Sequence, residues 1–192
     1  MEAIKAITSR VSVQRVGGEA PSSEVRGQIY AAALRVPDHA QLKPWRFLEI
    51  EGESLEKLSD LFAEAFVAER TLQGNPPSEE EIDKARNKPL RAPLMIVVIA
   101  SPLLHPKVPE VEQILSAGAA AQNMLIASHA LGIGAMWRTG SMAYDDIVKQ
   151  GLGLAESEHI VGFLYLGEPV GRVREAPTLE IDEYFQSWPM QS

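Results

Sequence analysis

Three short stretches place cations beside planar or polar side chains: Arg10-Val11-Ser12, the run from Arg35 to Phe47 (RVPDHAQLKPWRF), and Trp137-Arg138-Thr139. A guanidinium keeps its charge and its planar fork fits the oxygens of an anion, while hydroxyl, imidazole and amide groups can hydrogen-bond a flat polar ligand. Taken singly, Arg10 reads as a surface arginine and His39 as a loop histidine bonded to local backbone. Covalent and metal chemistry find little support. The chain has no cysteine, which removes disulfides, thiolate metal sites, iron–sulfur ligation and a cysteine nucleophile. Its four histidines form no HExxH pair, and no Walker loop, GxGxxG turn or GxSxG elbow is present. Gly132-Ile133-Gly134 falls between a predicted helix and a predicted strand, the reverse of the order a dinucleotide turn needs.

The charge balance narrows the partners. With 26 acidic and 18 basic side chains the formal net charge is −8, and no Lys/Arg-rich run offers nucleic acid or an anionic membrane a landing patch. An anionic small ligand would therefore need the few cations gathered locally. A chain of 192 residues, 45% of them apolar, can bury the core of one domain, so residues 1-192 are expected to form a single unit. Met1 to Arg10 contain no secretory apolar run and no stretch approaches a membrane span, so a soluble, cytoplasmic protein is expected.

These stretches must be positioned by ordered elements. Ile4 and Ile7 lie at helical spacing, predicting a short helix that gives way to loop at Arg10. Val25, Ile29, Ala32, Ala33 and Val36 predict a second helix between Pro21 and Pro37. Trp45 to Ile50 reads as a half-buried strand reached through Asp38 to Lys43. Helical spacing returns at Leu55, Leu58, Leu61, Phe62, Ala65 and Phe66, until Gln73-Gly74-Asn75-Pro76-Pro77 predicts a mobile surface loop. Ser78 then caps a short helix to about Asn87, with Glu79, Glu80 and Glu81 as a solvated face. The β-branched run from Pro93 to Ala100 predicts a central strand covered on both faces. Pro109 opens a long helix ended by Gly132, and its small-residue middle, Ser116 to Ala121, suits either a core helix or half of a dimer seam. Two further strands, Ile133 to Trp137 and His159 to Gly167, flank a short helix at Tyr144 to Gly151. The tail from Pro177 to Ser192 lacks helical periodicity. An α+β layer fold without internal repeats follows.

Read in order with SAGAAAQNMLIASHALGIGAMWRTG, ending at Gly140, and HIVGFLYLGEP, ending at Pro169, the three stretches resemble the nitroreductase family. The likeness is to its small YdjA-like bacterial branch and runs from residue 1 to about 185. It implies a nitroreductase-like α+β fold, with a central, mostly antiparallel sheet flanked by helices, and an intertwined homodimer holding two FMN molecules between its subunits. It places Arg10 and Ser12, with Val11 through its backbone, on the flavin phosphate and ribityl groups. From the other subunit it brings Arg35, His39, Gln41 and Lys43, of which His39 could hydrogen-bond or stack on the ring. Trp137, Arg138 and Thr139 meet the flavin, with Arg138 on the phosphate, although Trp137 suits core as well as ligand contact. Ala127 to Gly132 correspond to a stretch linked to the nicotinamide nucleotide, within which His129 reads as structural.

Where the family more typically carries Ser, Asn and Gln, this chain has His39, Gln41 and Lys43. An ammonium at the flavin pyrimidine edge would raise the midpoint potential wherever it is not solvated. The implied function is an FMN-dependent NAD(P)H oxidoreductase. It would pass hydride from NAD(P)H through FMN to nitroaromatic, quinone or similar small acceptors by a ping-pong scheme, with no catalytic side chain and no metal. Two other readings stay open: a flavin-binding or sensor module with little turnover, and a cofactor-free scaffold for protein partners.

Overall fold

Seven consecutive buried residues, Leu94–Ala100, form β3 at the centre of the molecule. Met95, Val97 and Ile99 point to one face and Leu94, Ile96 and Val98 to the other, and each set joins a separate core cluster. A strand covered on both faces needs no polar positions, which is why the run is unbroken. The computed structural model describes residues 1–188; the last part of the tail, 189–192, lies outside the described residues.

β3 pairs antiparallel with β2 (Trp45–Glu51) and with β5 (His159–Pro169), and β5 pairs antiparallel with β4 (Gly134–Arg138) and with the two-residue β1 (Val16–Gly17). On one face lie α3 (Glu53–Leu72) and α6 (Asp146–Gly151), joined to the sheet through Phe62, whose ring meets Phe163 edge-on at 5.4 Å. The other face is covered by α2 (Ser23–Ala33) and α5 (Glu110–Ala130). The expected antiparallel α+β layers are present.

Local chemistry sets the boundaries. Ser78 and Glu81 form a reciprocal capping box at the start of α4 (Glu79–Arg86), and Gly132, at φ +79, follows the end of α5. The second helix stops at Ala33, short of the expected Val36; Pro37 disfavours helical backbone at Val36 itself.

One irregularity orients a side chain of interest. Between Val98 and Ile99 the pairing skips Val161, a bulge in β5. The carbonyl of Val161 accepts a hydrogen bond from Trp137 Nε1 at 3.2 Å. The indole lies against Gly162, where any Cβ would collide with it. Trp137 therefore uses much of its side chain for packing.

Candidate cofactor site

Helix α1 (Ala3–Ser9) ends at Arg10, as its spacing predicts. Ser9 Oγ lies 2.9 Å from His129 Nε2 near the C-terminal end of α5, so His129 is held structurally. The chain then runs onto the outer edge of β4, where the Val13 N–H donates to the Ala135 carbonyl at 2.9 Å. By the two-residue repeat of a strand, the backbone groups of Trp137 face the same edge as those of Ala135. The Arg138 guanidinium approaches the Gln14 carbonyl at 3.5 Å and sits 5.5 Å over the Tyr165 ring. Two of the three stretches, Arg10 to Ser12 and Trp137 to Thr139, thus converge on one sheet edge.

The fold brings further cations to this edge that the sequence reading missed. Arg15, Arg172 and Arg174 line a cavity of about 200 Å³ together with Ser12. Lys88 and Arg91 line a second one, about 410 Å³, with Arg138, Thr139 and Tyr165. Burial raises the Tyr165 phenol above its ordinary pKa, opposed by Arg138 and Arg91. Among the described residues, none of Arg10, Arg15, Lys88, Arg91, Arg138, Arg172 and Arg174 is paired with a carboxylate. Arg172 and Arg174 follow β5 and approach Ser12 because Val16 pairs with Pro169 and the Val170 N–H donates to the Arg15 carbonyl at 3.0 Å. A two-residue strand leaves no periodic signal in a sequence.

The donor set suits FMN. Unpaired guanidiniums beside an exposed serine hydroxyl match a phosphate, and the free backbone edge at Trp137 offers donors and acceptors to a planar ring.

The third stretch lies elsewhere. Residues 35–44 sit at the N-terminal end of α5, where Ser116 Oγ donates to the Pro37 carbonyl and His39 Nδ1 lies 2.7 Å from Glu112 Oε2. His39 is bonded to a glutamate of α5, not to local backbone. Arg35, His39, Gln41 and Lys43 are all exposed. Ala40, Gln41 and Lys43 adopt left-handed backbone, with φ of 61°, 55° and 51°, a conformation costing L-residues roughly 1–2 kcal/mol each. Glu112 and His129 stand seventeen residues apart on α5, or about 25 Å along its axis. The two halves of the expected site therefore do not meet within one chain.

Elsewhere the arginines are paired. Arg26 binds Glu49 and Glu51, and Arg46 clasps Glu158 at 2.6 Å. That bond, with further hydrogen bonds from Ser101 and the Ala155 N–H, holds the Glu158 carboxyl down to about 2 against the opposing effect of burial. An apolar cavity of about 210 Å³ between α2 and β2, lined by Tyr30, Leu34, Phe47 and Met124, offers no cation. Among the described residues no cluster of metal-ligating side chains occurs, and no helix is long and apolar enough to cross a membrane.

Residues 7–168 match the Nitroreductase family, and the chain belongs to that family. YdjA of Escherichia coli (strain K12), which carries an NAD(P)H nitroreductase name, is 40% identical over 169 residues, 88% of this chain and 89% of its own. A relative from Haemophilus influenzae with a similar name is 33% identical over 187 residues, 96% of this chain and 98% of its own. Among solved structures, a nitroreductase-like protein of Bacillus cereus superposes with a TM-score of 0.81 at 24% identity, covering 98% of this chain and 97% of its own. A Desulfovibrio desulfuricans relative solved in complex with FMN reaches 0.73 at 23% identity, covering 100% and 99%. The fold is that of the family, and the chain is an oxidoreductase enzyme of that family.

Proposed function

We propose that residues 1-192 form one FMN-binding domain that works as a homodimer, reducing nitroaromatic, quinone or similar small acceptors with NAD(P)H. The observation that carries this reading is the separation of two half-sites along α5. A second copy packed across α5 in the opposite direction sets the Arg35 to Lys43 loop of each subunit beside the β4 edge of the other. Val111 and Leu115 stand 59% and 66% exposed on α5, and the half-buried Gly118, Gln122 and Ile126 continue the same stripe. Such a surface suits a symmetric helix seam. Beyond β5, the tail carries exposed Val173, Leu179, Ile181, Tyr184, Phe185 and Trp188, an apolar arm that wraps the second subunit and intertwines the pair.

Bound FMN supplies two-electron acceptance and donation, the chemistry that no side chain here provides. Arg10, Ser12, Arg172 and Arg174 hold the phosphate, and Val11 contributes backbone. Trp137 and Thr139 present backbone groups to the ring, and Arg138 adds positive charge. Arg35, His39, Gln41 and Lys43 close the site from the second subunit. The Arg138 cavity is lined by Lys88, Arg91 and Tyr165 and by no His, Asp or Glu, and on this reading its walls bind and orient the ligand. Donor and acceptor then use one face in turn, and parallel initial-rate lines are expected; intersecting lines would contradict a shared face.

A mixed dimer tests the arrangement directly. Arg10→Ala and the double variant Gln41→Ala/Lys43→Ala each damage both sites of a homodimer. Pairing one subunit of each kind should restore one site of wild-type FMN affinity per dimer. Two weak sites in the mixed dimer, or a stable monomer by light scattering, would overturn the shared site.

A further inference from the structure

Leu42 has right-handed helical backbone, φ −73° and ψ −20°, and Lys43 is left-handed. That succession turns two neighbouring N–H groups toward one point, a concavity that ordinarily receives an anion. Here the chain fills it from within: Asp38 Oδ1 accepts from Leu42 N at 3.1 Å and Oδ2 accepts from Lys43 N at 2.8 Å. The Asp38 carbonyl also accepts from Gln41 N at 3.2 Å. Lys43 precedes Pro44, a position where helical backbone is already disfavoured, and the Trp45 N–H returns to the Lys43 carbonyl at 2.8 Å. Left-handed backbone at Ala40, Gln41 and Lys43 persists only where something over-determines it. Two carboxylate oxygens on successive N–H groups do so, since removing either bond frees the turn to relax.

We infer that Asp38 is a positioning residue: its carboxylate, by filling the concavity of Leu42 and Lys43, holds His39, Gln41 and Lys43 on the path that presents them to the cofactor. The inference rests on the shared FMN site proposed above. It also explains how an exposed loop of costly conformation can serve a partner subunit without first being ordered by it. A loop already fixed before binding loses less freedom when the ligand arrives.

Asp38→Asn keeps the shape but turns an amide group toward one of the two N–H donors. In the cofactor-free dimer, amide hydrogen exchange at Leu42 and Lys43 should quicken more than tenfold. By fluorescence titration, the FMN dissociation constant should rise about tenfold, a loss of about 1.4 kcal/mol. Glycine adopts left-handed backbone without strain, so adding Ala40→Gly should recover about threefold of that loss, which a role confined to global stability would not produce. Unchanged exchange overturns the inference whether or not FMN binds. Faster exchange with an unaltered dissociation constant, or no recovery with Ala40→Gly, overturns the positioning role while leaving the FMN site standing. A wild-type dimer that binds no FMN overturns both.

Discussion

The arginines around β2 and those at the outer edge of β4 carry the same group in opposite circumstances. Arg26 and Arg46 are each locked to glutamates, and their charges are neutralised inside the protein. Arg15, Arg172 and Arg174 line one cavity, Arg138 reaches Gln14 beside it, and Arg10 lies just upstream in the same segment, none with a carboxylate partner among the described residues. In a chain with 26 acids against 18 bases, unpaired clustering of this kind leaves a local positive field inside a negative envelope. Paired guanidiniums fasten elements together, and unpaired ones keep a charge that an anion could meet. Substitutions at the two places should therefore move different quantities.

The largest separation is expected at Arg10→Ala. Loss of charge-assisted hydrogen bonds worth roughly 1.5–3 kcal/mol should weaken FMN binding by about 10- to 150-fold. The unfolding midpoint of the cofactor-free protein should stay near wild type. Unaltered FMN affinity would break the comparison, because Arg10 would then be ordinary surface.

Glu158→Gln should do the reverse. Removing a mostly buried partner of Arg46 should cost about 2 kcal/mol of stability, a fall in Tm of about 4–8 °C for a chain of this size, with FMN affinity retained. The sign of its pH dependence follows from the depressed carboxyl. Glu158 titrates near 2 when folded and near 4.3 when unfolded, so its contribution is complete above the unfolded value and disappears as pH falls from there toward 2. Wild-type Tm should approach that of Glu158→Gln across this acid window; a constant gap would show that the ion pair is not what the substitution removed.

The smallest effect belongs to Lys43→Gln. Lys43 is exposed in the single chain and would reach the flavin only at the rim of the shared site, so potentiometry should show a midpoint lowered by about 30 mV. An unchanged or higher midpoint would remove Lys43 from the tuning of the flavin.

What the sequence discloses depends on how locally each feature is determined. The unbroken apolar run of β3, the Ser78 cap and the Gly132 stop are written within a few residues of where they act, and the structure contains them as expected. Convergence of Arg10 to Ser12 with Trp137 to Thr139 was anticipated only through family resemblance, since no periodicity joins residues so far apart. Arg15, Arg172 and Arg174 escaped because their approach depends on the two-residue pairing of β1 with β5. Asp38 escaped for another reason: an aspartate just after Pro37 reads as an ordinary turn former, and only backbone angles reveal what its carboxylate fills.

Because α5 carries one proposed half-site near each end, its length acts as a gauge. Four added residues would lengthen it by about 6 Å and turn one end about 40° relative to the other, which in the proposed dimer would break both composite sites at once even if each subunit folded perfectly. In the proposed dimer the span between Glu112 and His129 is thus a dimension shared by two molecules, and neither can change it alone.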